Sequence, residues 1–317
     1  MTHIEPLTED PQFGALVRGL RMSDLSDVGF VEQLRKTFST NGVLVFRDTD
    51  VTTELHLALS RVFGQLEIHH MKEKNVPGHP ELWELTADAE VEGIIEVNGE
   101  ALCGYIPWHI DYWFIPRPNW GSCLRAIKVP ERGGDTGFLD LARVYERLPQ
   151  RLKSTIEGRE VTGFLRMGEA MFRYYPFLDV KIIDLGSAQR AVQAREEMVS
   201  TGTAFPFVIE EPYTRRRVLN FSPMLAKAVL GMEDEEAHAL FLELASYFDS
   251  PDLVYRHKWS VGEMVIWNNR RLAHMAYGTP VGLERLCWRT TILSSDDLGR
   301  ALTSDGNQKW SSEEAAA

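Results

Sequence analysis

EMVIWNNRRLAHMAYG, residues 263–278, reads as a short strand of apolar and β-branched residues that passes through the turn-forming pair Asn268–Asn269 to His274. Stretches of the same kind recur around it: LRAIKV (124–129), TGFLDL (136–141), RRRVLNF (215–221) and LCWRTTIL (286–293), bounded by Gly, Pro, Asn or Asp. The chain opens differently, as helix, strand, helix. Phe30, Val31, Leu34 and Phe38 recur at helical spacing after SDLSD (23–27), with Asp27 as N-cap and Asn41–Gly42 as stop. GVLVFRD (42–48) suits a buried strand, and Leu55, Leu59, Val62 and Phe63 restore the helical period before Gly64. One more helix is expected from about Glu235 to Phe248. Many short strands with a few helices outside them predict an α+β, mainly β fold: a double-stranded β-helix, or jelly roll, with flanking helices.

With 317 residues, 44% of them apolar, one large domain is enough, and a single domain is expected over residues 1–300 with a flexible tail over 301–317. No internal repeat interrupts it. The net charge of −12 opposes a polyphosphate partner, so no nucleic acid is expected and a small molecule is. MTHIEPLTEDPQFG (1–14) has neither a basic nor an apolar signal region, and no stretch approaches the roughly 20 apolar residues of a span. A cytoplasmic protein without a membrane partner is expected, assembled as a homo-oligomer, dimer or tetramer. Cys103, Cys123 and Cys287 lack CxxC spacing and read as reduced packing residues.

Chemistry enters at WHID (108–111). In a strand, His109 and Asp111 share a face, as two metal ligands would. Taken alone such a pair is commonplace, but His274 adds a second imidazole. Two histidines and one carboxylate make the facial set that holds non-haem Fe(II) with positions left open. Arg285 and Arg289 follow His274 by 11 and 15 residues and, four apart in a strand, point one way. Aimed into a cavity they would receive carboxylates; on an open sheet face, Glu284 could pair with either.

WHID, GGDTGFLD (133–140), VIWNNRRLAH (265–274) and LERLCWRTTIL (283–293) together resemble the Fe(II)- and 2-oxoglutarate-dependent dioxygenases typified by taurine dioxygenase and the chlorophenoxyacetate dioxygenases. SDLSD, GVLVFRD and LSRVFGQLEIHH (59–70) follow that family's order, so the resemblance runs from about Leu16 to Leu293. It implies that His109, Asp111 and His274 ligate Fe(II), with 2-oxoglutarate and O2 as cosubstrates. Arg285, helped by the Thr136 hydroxyl, would hold the distal carboxylate of 2-oxoglutarate. Arg289 would hold the anionic group of the substrate, assisted by His69. Tyr105, expected as a further substrate-binding residue, stands where the taurine enzyme carries an asparagine, so taurine itself is not the expected substrate. Retention of Asp111 favours oxygen transfer over halogenation.

The rings after WHID address the substrate. Trp113, continuing the alternation of His109 and Asp111, is a candidate wall, and GFLRMGEAMFRYYPF (163–177) a candidate lid. The expected reaction is hydroxylation of a small organic acid, carboxylate or sulfonate, with an apolar or aromatic body, as 2-oxoglutarate loses CO2 to give succinate. Desaturation or ring formation at the same site is the enzymatic alternative. A non-catalytic jelly-roll binder of an organic acid, or a zinc hydrolase, is the alternative from another class, the hydrolase leaving Thr136 and Arg285 without a role.

Overall fold

The computed structural model describes residues 2–69, 72–196 and 202–302. Strands predominate, and most belong to two sheets. The eight-stranded sheet runs His3–Pro6, Ala15–Arg18, Val43–Arg47, Met264–Asn268, Gly121–Lys128, Leu286–Ile292, His79–Thr86, Asn75–Val76 from edge to edge. The six-stranded sheet runs Val180–Asp184, Ile94–Val97, Glu100–His109, Leu272–Pro280, Thr136–Asp140, Val254–His257.

Successive side chains of a strand point to opposite faces, and here both faces are covered. Val43, Val45, Val265 and Trp267 enter a core between the sheets with Phe138, Leu272 and Cys287. Their neighbours Leu44, Phe46, Met264 and Ile266 point the other way, into a core shared with Leu34, Phe38, Leu55 and Leu59 of the two N-terminal helices. Hence GVLVF and MVIW are unbroken apolar runs rather than alternating ones. A third core lies on the outer face of the six-stranded sheet, where Tyr105, Trp108 and Met275 meet Leu240, Phe241 and Leu244.

The N-terminal helices begin and end where their caps dictate. Asp27 accepts from the backbone N–H groups of Gly29 and Phe30 at the start of Val28–Asn41, and Gly42 closes it at φ 79°. Thr52 accepts from Leu55 N to start Thr53–Phe63. The later helix spans Asp234–Ala245, shorter at its end than the spacing predicts. Tyr247 and Phe248 donate to Leu244 and Ala245, a tighter turn than the α-helix makes. The first two residues of the expected tail are paired: Ala301 with Thr203, and Leu302 N donates to Gly202 O. The rest of that segment, 303–317, lies outside the described residues. No helix among the described residues is long and apolar enough to cross a membrane.

His56, on the second helix, is wholly buried, with Nε2 3.4 Å from Thr290 Oγ1, and burial lowers its pKa to about 3. Unfolded, it would take up a proton as the pH drops below about 6.5; folded, it stays neutral down to about 3. Its contribution is therefore complete above 6.5 and lost on acidification, at ~1.4 kcal/mol per pH unit. Urea unfolding of His56→Gln between pH 6.5 and 4.5 should show a pH slope shallower by that one proton. An unchanged slope would refute the assignment.

Candidate metal centre and its surroundings

His109 is the last residue of its strand and sits in register with His274 on the next. Their ring centroids are 4.1 Å apart. The sequence placed Asp111 on the same strand face, but the strand stops at His109 and Asp111 lies in the turn beyond it, followed by Tyr112 at φ 54°. Asn269 holds that turn: its Oδ1 accepts from Asp111 N at 3.1 Å and its Nδ2 donates to Asp111 O at 2.9 Å. Asn269 also belongs to the turn leading into the His274 strand. One amide side chain thus ties the loop that carries the carboxylate to the strand that carries the distant imidazole.

The result is convergent. Nε2 of His109 and Nε2 of His274 each lie 3.6 Å from Asp111 Oδ1, and one ligand atom from each of the three residues falls within 4.8 Å of the others. His109 Nδ1 is 2.9 Å from the Pro107 carbonyl, which can only accept, so its proton resides on Nδ1 and Nε2 offers a lone pair. Burial, with His109 nearby, pushes His274 well below the usual histidine range, leaving a neutral imidazole. Burial favours protonation of Asp111, but the Arg289 guanidinium paired with it holds the carboxyl far below the usual carboxylate range. Two imidazoles that turn Nε2 toward an ionised carboxylate fit a divalent metal ion.

Arg289 occupies the opposite side of Asp111. Its Nη2 donates to Asp111 Oδ2 and, at 2.7 Å, to Ser122 Oγ, which also accepts from Nε. The guanidinium lies between the rings of Trp83 and Trp267, 5.2 and 5.5 Å from their centroids. With Oδ2 engaged, Oδ1 is the oxygen turned toward the histidines. His69 is buried and stacks on Trp83, with ring centroids 4.2 Å apart.

Arg285 keeps different company, because a bulge at Leu286/Cys287 interrupts the simple four-residue repeat. Its Nε donates to Gly134 O at 3.2 Å, and it forms no ion pair with a described residue. Gly133 and Gly134 both have φ 73°, and a Cβ on Gly134 would come within 3.0 Å of Arg285 Cδ. The double glycine in GGDT therefore makes room for this side chain. Thr136, two residues on, is buried and accepts a hydrogen bond from Trp259 Nε1 at 3.0 Å.

Three substrate expectations do not survive. Tyr105 and Trp108 lie on the outer face of the six-stranded sheet, away from the histidines, and line a separate cavity of ≈470 Å³ with Tyr175, Met275 and Tyr277. Trp113 is a core residue with no exposure: it stacks on Phe205 at 4.7 Å and donates from Nε1 to Asn220 Oδ1 at 2.7 Å. The turn after His109 breaks the alternation that predicted otherwise. The candidate lid also packs on the outer face, with Met171, Tyr174 and Tyr175 buried and the Tyr175 hydroxyl donating to Trp108 O at 2.9 Å. Residues that sequence reasoning missed are Trp83, Ser122, Trp259, Trp267 and Asn269. Trp83 faces Arg289 and Ser122 faces Thr291 across strands, and such pairings leave no trace in linear spacing.

Two imidazoles and a carboxylate with converging ligand atoms make the donor set of a mononuclear non-haem metal site. The family described as taurine catabolism dioxygenase TauD, TfdA matches residues 3–291, and the chain belongs to that family. It is accordingly an oxidoreductase of the dioxygenase class. The (S)-phenoxypropionate/alpha-ketoglutarate-dioxygenase of Sphingobium herbicidovorans is 29% identical over 290 residues, covering 91% of this chain and 94% of its own. Pentalenolactone F synthase of Streptomyces arenae is 25% identical over 304 residues, covering 93% and 97%. A taurine dioxygenase structure from Burkholderia xenovorans superposes with TM-score 0.72 at 26% identity, covering 99% and 97%.

Proposed function

We propose that the protein hydroxylates a small organic acid, carboxylate or sulfonate, with an apolar or aromatic body, in a reaction that depends on Fe(II), 2-oxoglutarate and O2. The observation that carries this reading is the Arg289 guanidinium, held beside the three convergent ligand atoms between two indole rings. The two facing sheets are read as the jelly roll of the family. His109, Asp111 and His274 would hold the metal. When bound, it supplies the oxidising chemistry: O2 and 2-oxoglutarate are consumed, succinate and CO2 leave, and one oxygen atom enters a C–H bond of the substrate.

The chain's own part is placement. Arg285 makes no hydrogen bond from its two terminal nitrogens among the described residues and receives the distal carboxylate of 2-oxoglutarate, with the Thr136 hydroxyl as a neutral donor. Arg289 spends Nη2 and Nε on Asp111 and Ser122, and its Nη1 makes no hydrogen bond among the described residues, which leaves that edge for the substrate's acid. Trp83 and Trp267 exclude water around it and offer an apolar surface, which suits a ring or branched alkyl group better than a small hydrophilic chain. An acid anchored at one end presents a fixed C–H to the metal, and such fixing contributes much of the rate in positioned reactions. A desaturating or ring-forming outcome at the same site is the second reading, favoured by the similarity to pentalenolactone F synthase.

A panel of aryloxy, alkyl and sulfonated acids, scored by substrate-dependent succinate formation, tests this reading. At least one aryl or bulky alkyl acid should stimulate turnover; stimulation by none, in iron-replete protein, would sink it. Arg289→Ala should raise the KM for the active acid roughly 10–100-fold, the worth of a charge-assisted hydrogen bond. It should also weaken iron retention about 10–100-fold, because Asp111 Oδ2 loses its donor. A KM unmoved by this change would place the acid elsewhere.

A further inference from the structure

We propose that Trp259 is a positioning residue for the distal carboxylate of the cosubstrate, its indole N–H setting the direction in which the Thr136 hydroxyl gives its proton. The inference rests on the reading that Thr136 and Arg285 receive 2-oxoglutarate. An indole N–H can only donate, whereas a threonine hydroxyl carries one proton and accepts through its lone pairs. At 3.0 Å from Trp259 Nε1, Thr136 Oγ1 must therefore be the acceptor. Its own proton is then directed away from the indole, and it is given to no described residue. Both side chains are buried, Thr136 at 5% and Trp259 at 8% exposure, so no bulk water competes for the hydroxyl. A hydroxyl that already accepts is also the more polarised donor.

The indole is itself held. Trp259 lies two residues beyond His257, the register partner of Thr136. The His257 and Trp259 rings meet edge to face at 4.5 Å and 84°. His257 Nε2 lies 3.3 Å from Glu263 Oε2, the same oxygen accepts from Ser260 N at 2.8 Å, and Arg47 pairs with the other oxygen. The Arg47–Glu263 ion pair, at the ends of two neighbouring strands, thus stands beside the His257 ring that packs on the indole. Trp259 need not touch 2-oxoglutarate: it acts through Thr136.

A double-mutant cycle separates this role from mere packing. Binding of 2-oxoglutarate to the Mn(II)-loaded protein, without O2, is measured by calorimetry for wild type, Thr136→Val, Trp259→Phe and the double variant. Each single change should weaken binding about 3–10-fold, and the double should match Thr136→Val within about twofold, because Trp259 has no hydroxyl left to orient. KM for 2-oxoglutarate should rise in step while kcat holds. Losses that multiply, or an unchanged Trp259→Phe, overturn the proposal. An unchanged Thr136→Val instead overturns the cosubstrate assignment on which it rests. Should Trp259→Phe fold poorly, the indole N–H proton resonance of Trp259 serves in its place. It should shift on adding 2-oxoglutarate to wild type and Thr136→Ser but not to Thr136→Val, and no shift in wild type counts against the proposal.

Discussion

Asp111→Ala should abolish turnover and iron retention together. The substitution removes the one anionic ligand, leaving His109 and His274 to face the Arg289 guanidinium, a cation that the carboxylate now neutralises. The loss of metal affinity should exceed the roughly 10–100-fold seen when only a ligand's hydrogen-bond partner is removed. Asp111→Asn is the sharper companion, since it keeps the size and an oxygen for Arg289 but loses the charge. Metal content after dialysis and substrate-dependent succinate formation are the measurements, with circular dichroism to confirm folding. Near-normal product formation in iron-loaded Asp111→Ala would refute the metal site.

Arg285→Ala should weaken 2-oxoglutarate roughly 10–150-fold, the equivalent of ~1.5–3 kcal/mol for hydrogen bonds to a charged group. The KM for the organic acid should change little, about threefold or less. The asymmetry follows from geometry: Arg285 is seated at Gly134 in the loop that leads to Thr136, whereas Arg289 is seated on Asp111 and Ser122. Arg285→Lys should recover only part of the loss, because an ammonium cannot offer two parallel donors to one carboxylate. Anaerobic calorimetry with 2-oxoglutarate and steady-state kinetics with the acid separate the two arginines. Equal effects of both substitutions on both ligands would mean that they serve one site.

Much of this was legible in the residues themselves, for a local reason. Helix ends follow from capping residues close by in the chain, so Asp27 and Gly42 mark the boundaries of the first helix in the chain as in the fold. The apolar runs around Val45 and Val265 mark strands because burial on both faces admits little else. The candidate metal ligands could be named from the chain too, since a His-x-Asp pair with a later histidine carries its chemistry in residue type, and the paired arginines through their spacing, whereas Thr136 entered only through the family resemblance.

Tertiary structure decided which rings see the metal. Period-two alternation assigned Trp113 to the site, but alternation holds only while a strand lasts, and the turn at Tyr112 ends it, sending Trp113 into the core against Phe205. Tyr105 was assigned by its place in the chain, yet it belongs to the outer face, where it lines a cavity of its own. Conversely, Trp83 reaches Arg289 only through cross-strand register, and Trp259 reaches Thr136 only because the strand ending at His257 pairs beside it. By itself the sequence determined the elements and the donor set, which depend on neighbours along the chain and on side-chain chemistry. Only the packed sheets decided what encloses that set, because the pairing of strands distant in sequence is fixed by burial and hydrogen-bond register across the whole domain.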